Sequence, residues 1–157
     1  MPMAAKKVSR EIPLMEITLR RYEKPSNLDD RELVRKLCLS FGLLQPGDSR
    51  DVIVDIFYTL LDAKKRKSNL TAGEIEKIVI EERKKRKLPM VGIASSNIMR
   101  QLRRLREAML AEKHLSTYRI SENMKIEEIF QEKVEKYMLS SVVERLKEYC
   151  RKVDERF

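Results

Sequence analysis

Three arginines, an asparagine and a serine recur on one side of a single expected helix, and they are the residues best placed to do chemistry. The stretch GIASSNIMRQLRRLREAM, Gly92 to Met109, sets Ile98, Leu102, Leu105 and Met109 at the spacing of one apolar stripe. At about 100° per residue, the opposite side carries Ser96, Arg100, Arg103 and Glu107, with Asn97 and Arg104 on its flanks. Guanidinium forks match phosphate oxygens and guanine edges, and an asparagine amide matches adenine, so this face has the chemistry of a nucleic-acid reader. A solvated amphipathic helix would carry the same residue types.

Other chemistries find little support. There is no glycine-rich phosphate loop and no nucleophile paired with a base, so an enzyme is not expected and no cofactor is implied. His114 is the only histidine and has no partner at metal-ligand spacing, so no metal is expected either. Cys38 and Cys150 lie far apart on apolar helix faces and read as buried free thiols.

Charge points to a polyanion. The 157 residues carry a net charge of +9. From Lys64 to Arg106 there are 14 Lys and Arg against 4 Glu, a net of +10, whereas Glu122 to Phe157 is close to balanced. The runs Lys64–Lys67 and Arg83–Lys87 flank the arginine-faced helix on its N-terminal side, and Lys84, Lys85, Arg86 and Lys87 join the candidate contacts. A solvated helix end favoured by the dipole would explain either run alone. Charged residues make up 38% of the chain, a balance resembling that of proteins from heat-loving organisms. No apolar run approaches the roughly 20 residues of a membrane span, and the start has no apolar stretch that could serve as a secretory signal, so a cytoplasmic protein without membrane contact is expected.

The elements that must position these side chains can be taken in order. Met1 to Arg10 is a basic end that could act as an arm on nucleic acid, with a disordered terminus as the default. Ile12 to Tyr22 alternates Met15, Ile17 and Leu19 with polar residues, the period of a half-buried strand. A helix is expected from about Asp29 to Phe41, with Leu33, Leu37 and Phe41 on one face, Val34 and Cys38 beside them, and Gly42 as its left-handed stop. Asp48 or Ser49 can cap the next helix, whose stripe of Val52, Ile53, Ile56, Phe57, Leu60 and Leu61 should anchor the core, with Asp51 facing the helix dipole. Thr71 and Glu74 form a capping-box pattern for a helix whose apolar face is Ala72, Ile75, Ile78 and Val79. That helix should stop near Pro89. Gly92 makes a joint, and Ser95 or Ser96 can cap the arginine-faced helix.

With a hairpin expected at AEKHLSTYRI, Ala111 to Ile120, the region from Arg50 to Ile120 resembles a winged helix-turn-helix domain. TAGEIEKIV stands where the positioning helix would be, the arginine-faced helix where the recognition helix would be, and the hairpin where the wing would be. The whole chain also looks like a group of small basic archaeal regulator-like proteins. The resemblance implies a recognition helix in the DNA major groove, with Ser96, Asn97, Arg100, Arg103 and Arg104 as its readers. It assigns Lys113, His114 and Arg119 to the wing. Two departures are a long basic link before the recognition helix and a short wing tip without glycine.

After the hairpin, Ile126, Ile129, Phe130, Val134, Tyr137 and Met138 predict one helix, and Ser141 with Glu144 a capping box for a second. Leu139, Val142, Leu146, Tyr149 and Val153 alternate by three and four, a seam that could pair two copies of the chain. The expected class is mainly α with a small β-hairpin wing (α+β). An N-terminal extension, 1–48, precedes a winged-helix domain, 49–121, and a C-terminal helical segment, 122–157. The expected function is a homodimeric regulator on double-stranded DNA. The alternative is a factor binding structured RNA or a ribosomal subunit with the same basic surface.

Overall fold

The structure, a computed structural model, describes residues 11–157. The expected basic arm, Met1 to Arg10, lies outside them. The described chain is mainly helical with a small antiparallel sheet of three strands. Helices α1 (Asp30–Ser40), α2 (Val52–Lys65), α3 (Ala72–Lys85) and α4 (Ser95–Glu107) form the body, with β1 (Leu70–Thr71) between α2 and α3. The hairpin of β2 (Ala111–His114) and β3 (Thr117–Ile120) follows α4 and places β3 in the middle of the order β1-β3-β2. No described helix is long and apolar enough to cross a membrane.

Helix α2 is the axis of the core. Val52, Ile53, Ile56, Phe57 and Leu60 are buried, and the helix packs against α1, α3, α4 and β3. Burying side chains of this size contributes roughly 1.5–3 kcal/mol each relative to exposure, so the broad stripe on α2 makes it the anchor. Helix α1 is capped by Asp29, whose carboxylate accepts the Glu32 N–H at 2.8 Å. It turns Val34, Cys38 and Leu39 into the core and leaves Leu33 exposed, a rotation away from the expected Leu33–Leu37–Phe41 face. Phe41 instead meets Phe130 edge to face, with ring centroids 5.7 Å apart.

Residues 12–22 form no strand, with bends at Ile12 and Leu14 and no ladder pairing, contrary to the alternation that predicted one. Hydrogen bonds from Arg20 replace the missing ladder. Its N–H donates to the Ser40 carbonyl at 2.9 Å, and its guanidinium to the carbonyls of Leu39 and Leu44 and to Gln45 Oε1. The strap thus ties off the end of α1. Gly42 has φ +71°, as its stop role requires, and a Cβ there would stand 2.7 Å from the Thr18 carbonyl oxygen. Close approach of the strap adds a second reason for glycine.

Helix termini follow a shared rule. Lys67, Lys87 and Met109 follow α2, α3 and α4 in left-handed conformation, at φ 55°, 55° and 66°. In each case the next N–H reaches back to a carbonyl of the last turn, from Ser68 to Ala63, Leu88 to Arg83 and Leu110 to Leu105. Met109 therefore leaves the apolar stripe of α4, and Leu110 enters the core in its place. Thr71 and Glu74 make the expected capping box. Asp48 and Ser49 do not cap α2. Asp51 stands at the cap position without a side-chain cap, because its carboxylate is taken up by arginines.

Those arginines form a buried cluster. Arg83, inside the expected surface run, is 0% exposed. Its Nη1 lies 3.0 Å from Asp51 Oδ1 and 2.5 Å from Asp55 Oδ2, and its Nε and Nη2 donate to the Pro89 carbonyl at 3.0 and 2.6 Å. Arg31 on α1 pairs with the same two carboxylates at 3.0 Å. Burial alone would raise the Asp51 carboxyl, but hydrogen bonds and charge from Arg31 and Arg83 outweigh it and hold the group below its usual value.

The C-terminal part is one helical rod where two helices were expected. α5 (Ile126–Ile129) continues through a π-helical stretch (Phe130–Leu139) into α6 (Ser140–Arg156), with right-handed helical backbone at both junctions. Ser141 forms no cap, because its hydroxyl donates to the Tyr137 carbonyl at 2.6 Å from within the helix. Ile129 and Val134 bury the near end, whereas Tyr137 is exposed. No residue of α6 is buried. Cys150, expected to be buried, lies exposed on α6, while Cys38 is buried with its thiol pushed up to about 12 by desolvation.

Candidate nucleic-acid interface

Helix α4 holds its outward residues in place by burying Ile98, Leu102 and Leu105. Its first turn has no side-chain cap, since Ser95 and Ser96 both lie inside the helix and the cap position is Ala94. Ser95 Oγ donates instead to the Glu76 carboxylate at 2.9 Å, tying α4 to α3.

The five expected readers separate into two groups. Ser96, Arg100 and Arg103 are exposed. Arg100 makes no hydrogen bond or ion pair, and Arg103 pairs only with Glu107 one turn on, at 3.3 Å. Such an exposed pair is worth little and is readily exchanged for another anion. Asn97 and Arg104 instead turn toward the loop between α1 and α2. Arg104 Nη1 donates to Gln101 Oε1 at 2.9 Å, Gln101 Nε2 to Asn97 Oδ1 at 3.1 Å, and Asn97 Nδ2 to the Gly92 carbonyl at 2.7 Å. Gln101 was not among the expected site residues. Its signal was present in the 97, 101, 104 spacing, which puts three hydrogen-bonding side chains on one flank of a helix.

The basic run after α3 divides similarly. Lys84 and Lys87 are exposed with no ion pair, while Lys85 and Arg86 lie 3.5 and 3.9 Å from Glu82. Arg86 also stacks over Tyr58, 5.6 Å from the ring centre. Arg83 is removed from the surface by the buried cluster.

Register decides what the hairpin offers. Glu112 faces Arg119 across the strands and Lys113 faces Tyr118, so Lys113 and Arg119 project from opposite faces. Arg119 is half-buried and bound to Glu112 at 2.6 Å. Burial would raise Glu112, but the Glu122 N–H and Arg119 overcome it and lower its pKa. Lys113 reaches over the Tyr118 ring at 5.7 Å, and His114 is exposed. The tip residue Leu115 has φ 56° and is 86% exposed. Among the described residues no group of three or more His, Cys, Asp or Glu could hold a metal ion.

Comparison of the chain with protein-family models, with curated proteins and with solved structures found no match.

Proposed function

We propose that the protein binds nucleic acid through α4, as a dimeric regulator of winged helix-turn-helix type that sets this helix in the major groove of double-stranded DNA. The observation that carries the reading is the outer face of α4: Ser96, Arg100 and Arg103 stand exposed opposite a fully buried stripe, inside the segment of net charge +10. The order α2-β1-α3-α4-β2-β3 and the sheet order β1-β3-β2 support the winged-helix arrangement. Base selection would fall to Ser96, Arg100 and Arg103, and positioning on phosphates to Lys84, Lys87 and Lys113.

The exposed stripe of α6 supports the dimer. Leu146, Tyr149 and Val153 stand in solvent, and Val143, Cys150 and Phe157 extend the stripe beyond the expected seam. Leu139, Leu146 and Val153 then recur every seven residues, with Val143, Cys150 and Phe157 four residues after each. Such a seven-residue repeat is a seam that two copies of the helix can share.

A second reading, binding of structured RNA or a ribosomal subunit, draws on the hairpin. Arg119 is held by Glu112 and the tip is a leucine, which leaves little for a groove contact and favours recognition by shape and backbone. A labelled duplex selected from a random pool, challenged with bulk duplex and with folded RNA at moderate salt, separates the two. Retention of a preferred duplex supports the regulator. Equal affinity for every duplex and for RNA overturns it.

A further inference from the structure

We propose that the cleft between α4 and the loop joining α1 to α2 is a binding site for a small organic phosphate, adjoining the outer face of α4 and sharing Arg100 with it. The cleft has a volume of about 370 Å³, within the range of small-molecule sites. Three arginines line it, Arg50 from the loop and Arg100 and Arg104 from successive turns of α4. The side chains of Arg50 and Arg100 make no hydrogen bond or ion pair. Arg104 donates only to Gln101, whose amide is fixed in turn by Asn97 and the Gly92 carbonyl. A guanidinium held by neutral amides keeps its charge and its remaining donors for a ligand, so Arg104 is pre-set for a phosphate group.

Gly92 belongs to this support. Its φ is +77°, and a Cβ would stand 3.0 Å from Asn97 Nδ2. The one carboxylate on the lining, Asp48, accepts the Arg50 N–H at 2.9 Å and leaves an excess of positive charge. Leu43, Leu44 and Val52 supply an apolar side to the same cleft. A phosphoryl group between the arginines, with an uncharged body of up to nucleoside size on the leucines, satisfies both halves. A backbone phosphate of duplex nucleic acid would need no concavity of this kind.

Arg100 belongs to both the cleft and the outer face, so a ligand in the cleft competes with nucleic acid. That competition rests on the proposed function, but the binding itself does not. Titration calorimetry of the full chain with ADP as probe, and with adenosine and pyrophosphate as separate arms, tests the site without nucleic acid. Saturable binding of ADP is expected, weaker binding of pyrophosphate and none of adenosine. Arg50→Ala and Arg104→Ala should each weaken ADP at least tenfold, and Gln101→Ala several-fold with an unchanged melting temperature. Arg103→Ala should leave ADP affinity intact. Absence of saturable binding by both ADP and pyrophosphate overturns the proposal, as does binding indifferent to Arg50→Ala and Arg104→Ala. ADP binding without displacement of a bound duplex would keep the cleft and remove the α4 reading.

Discussion

Arg83 on α3 and Asp51 at the start of α2 meet 3.0 Å apart with the arginine fully buried, so the ion pair stands inside the fold. Asp51 and Asp55 receive Arg31 as well, which ties α1, α2 and α3 to one cluster, and the Pro89 carbonyl brings in the link to α4. Removing Arg83 leaves buried carboxylates short of a partner, and breaking such a pair costs about 3–5 kcal/mol. Arg83→Ala should therefore lower the melting temperature sharply. Arg83→Lys should recover little, because one ammonium cannot serve two carboxylates and a carbonyl in the geometry of a fork. A thermal melt within a degree or two of wild type for either variant would contradict this.

The same cluster sets a pH dependence. The Asp51 carboxyl lies below its ordinary value of 3.8 in the folded protein, so the stability it contributes is complete above the unfolded value. It is lost as pH falls through the lower, folded value. Denaturant midpoints measured downward from pH 5 should fall more steeply for wild type than for Asp51→Asn, which begins less stable.

Lys67 pays the steric penalty of a left-handed residue, φ 55°, where its side chain makes no hydrogen bond or ion pair. Glycine avoids that penalty, at some cost in unfolded-state entropy. Lys67→Gly should stabilise by a few tenths to about 1 kcal/mol, seen as a raised melting temperature. A lowered one would show that the lysine is engaged in solution.

On α4, Arg100→Ala and Arg103→Ala should each weaken nucleic-acid binding with almost no change in melting, since neither side chain packs in the core. Their effect should shrink as salt rises, because phosphate contacts release counterions. Unchanged affinity in a filter-binding or anisotropy assay would exclude this face.

For α6, light scattering should give twice the monomer mass, and Leu146→Asp should halve it. A parallel pairing would set Cys150 against its mate, and mild oxidation should then yield a crosslinked dimer that Cys150→Ser abolishes. A dimer that resists this crosslink would be antiparallel, and a monomeric wild type would remove the pairing altogether.

Much of this arrangement was legible in residue periodicity. The buried stripe of α2, the capping box at Thr71 and Glu74, the hairpin, and the split of α4 into apolar and basic faces all follow from local spacing. Arg83 shows where residue type misleads and period does not. Ile75, Val79 and Arg83 recur every four residues and are all buried, yet a lysine-rich neighbourhood disguised the third as surface. The strap at 12–22 had the alternation of a strand but no partner, and partners are tertiary facts. β1 is only Leu70–Thr71, too short to leave a pattern. The turning of Asn97 and Arg104 into a cleft depends on the loop of another helix, which no spacing within α4 contains.

The unbroken backbone from α5 into α6 makes the direction of the exposed stripe a matter of counting. Each residue between Ile129, which grips the body, and Leu146, which stands 59% exposed, adds the rotation of its own helical segment, π-helical to Leu139 and α-helical beyond. In a dimer, one residue inserted into the α-helical segment between Ser140 and Leu146 would swing the stripe by about 100° and re-aim both copies of α4 without touching a single contact within either body. The rod is thus a phase reference: the angle between two copies would be written in the number of residues that separate core from seam.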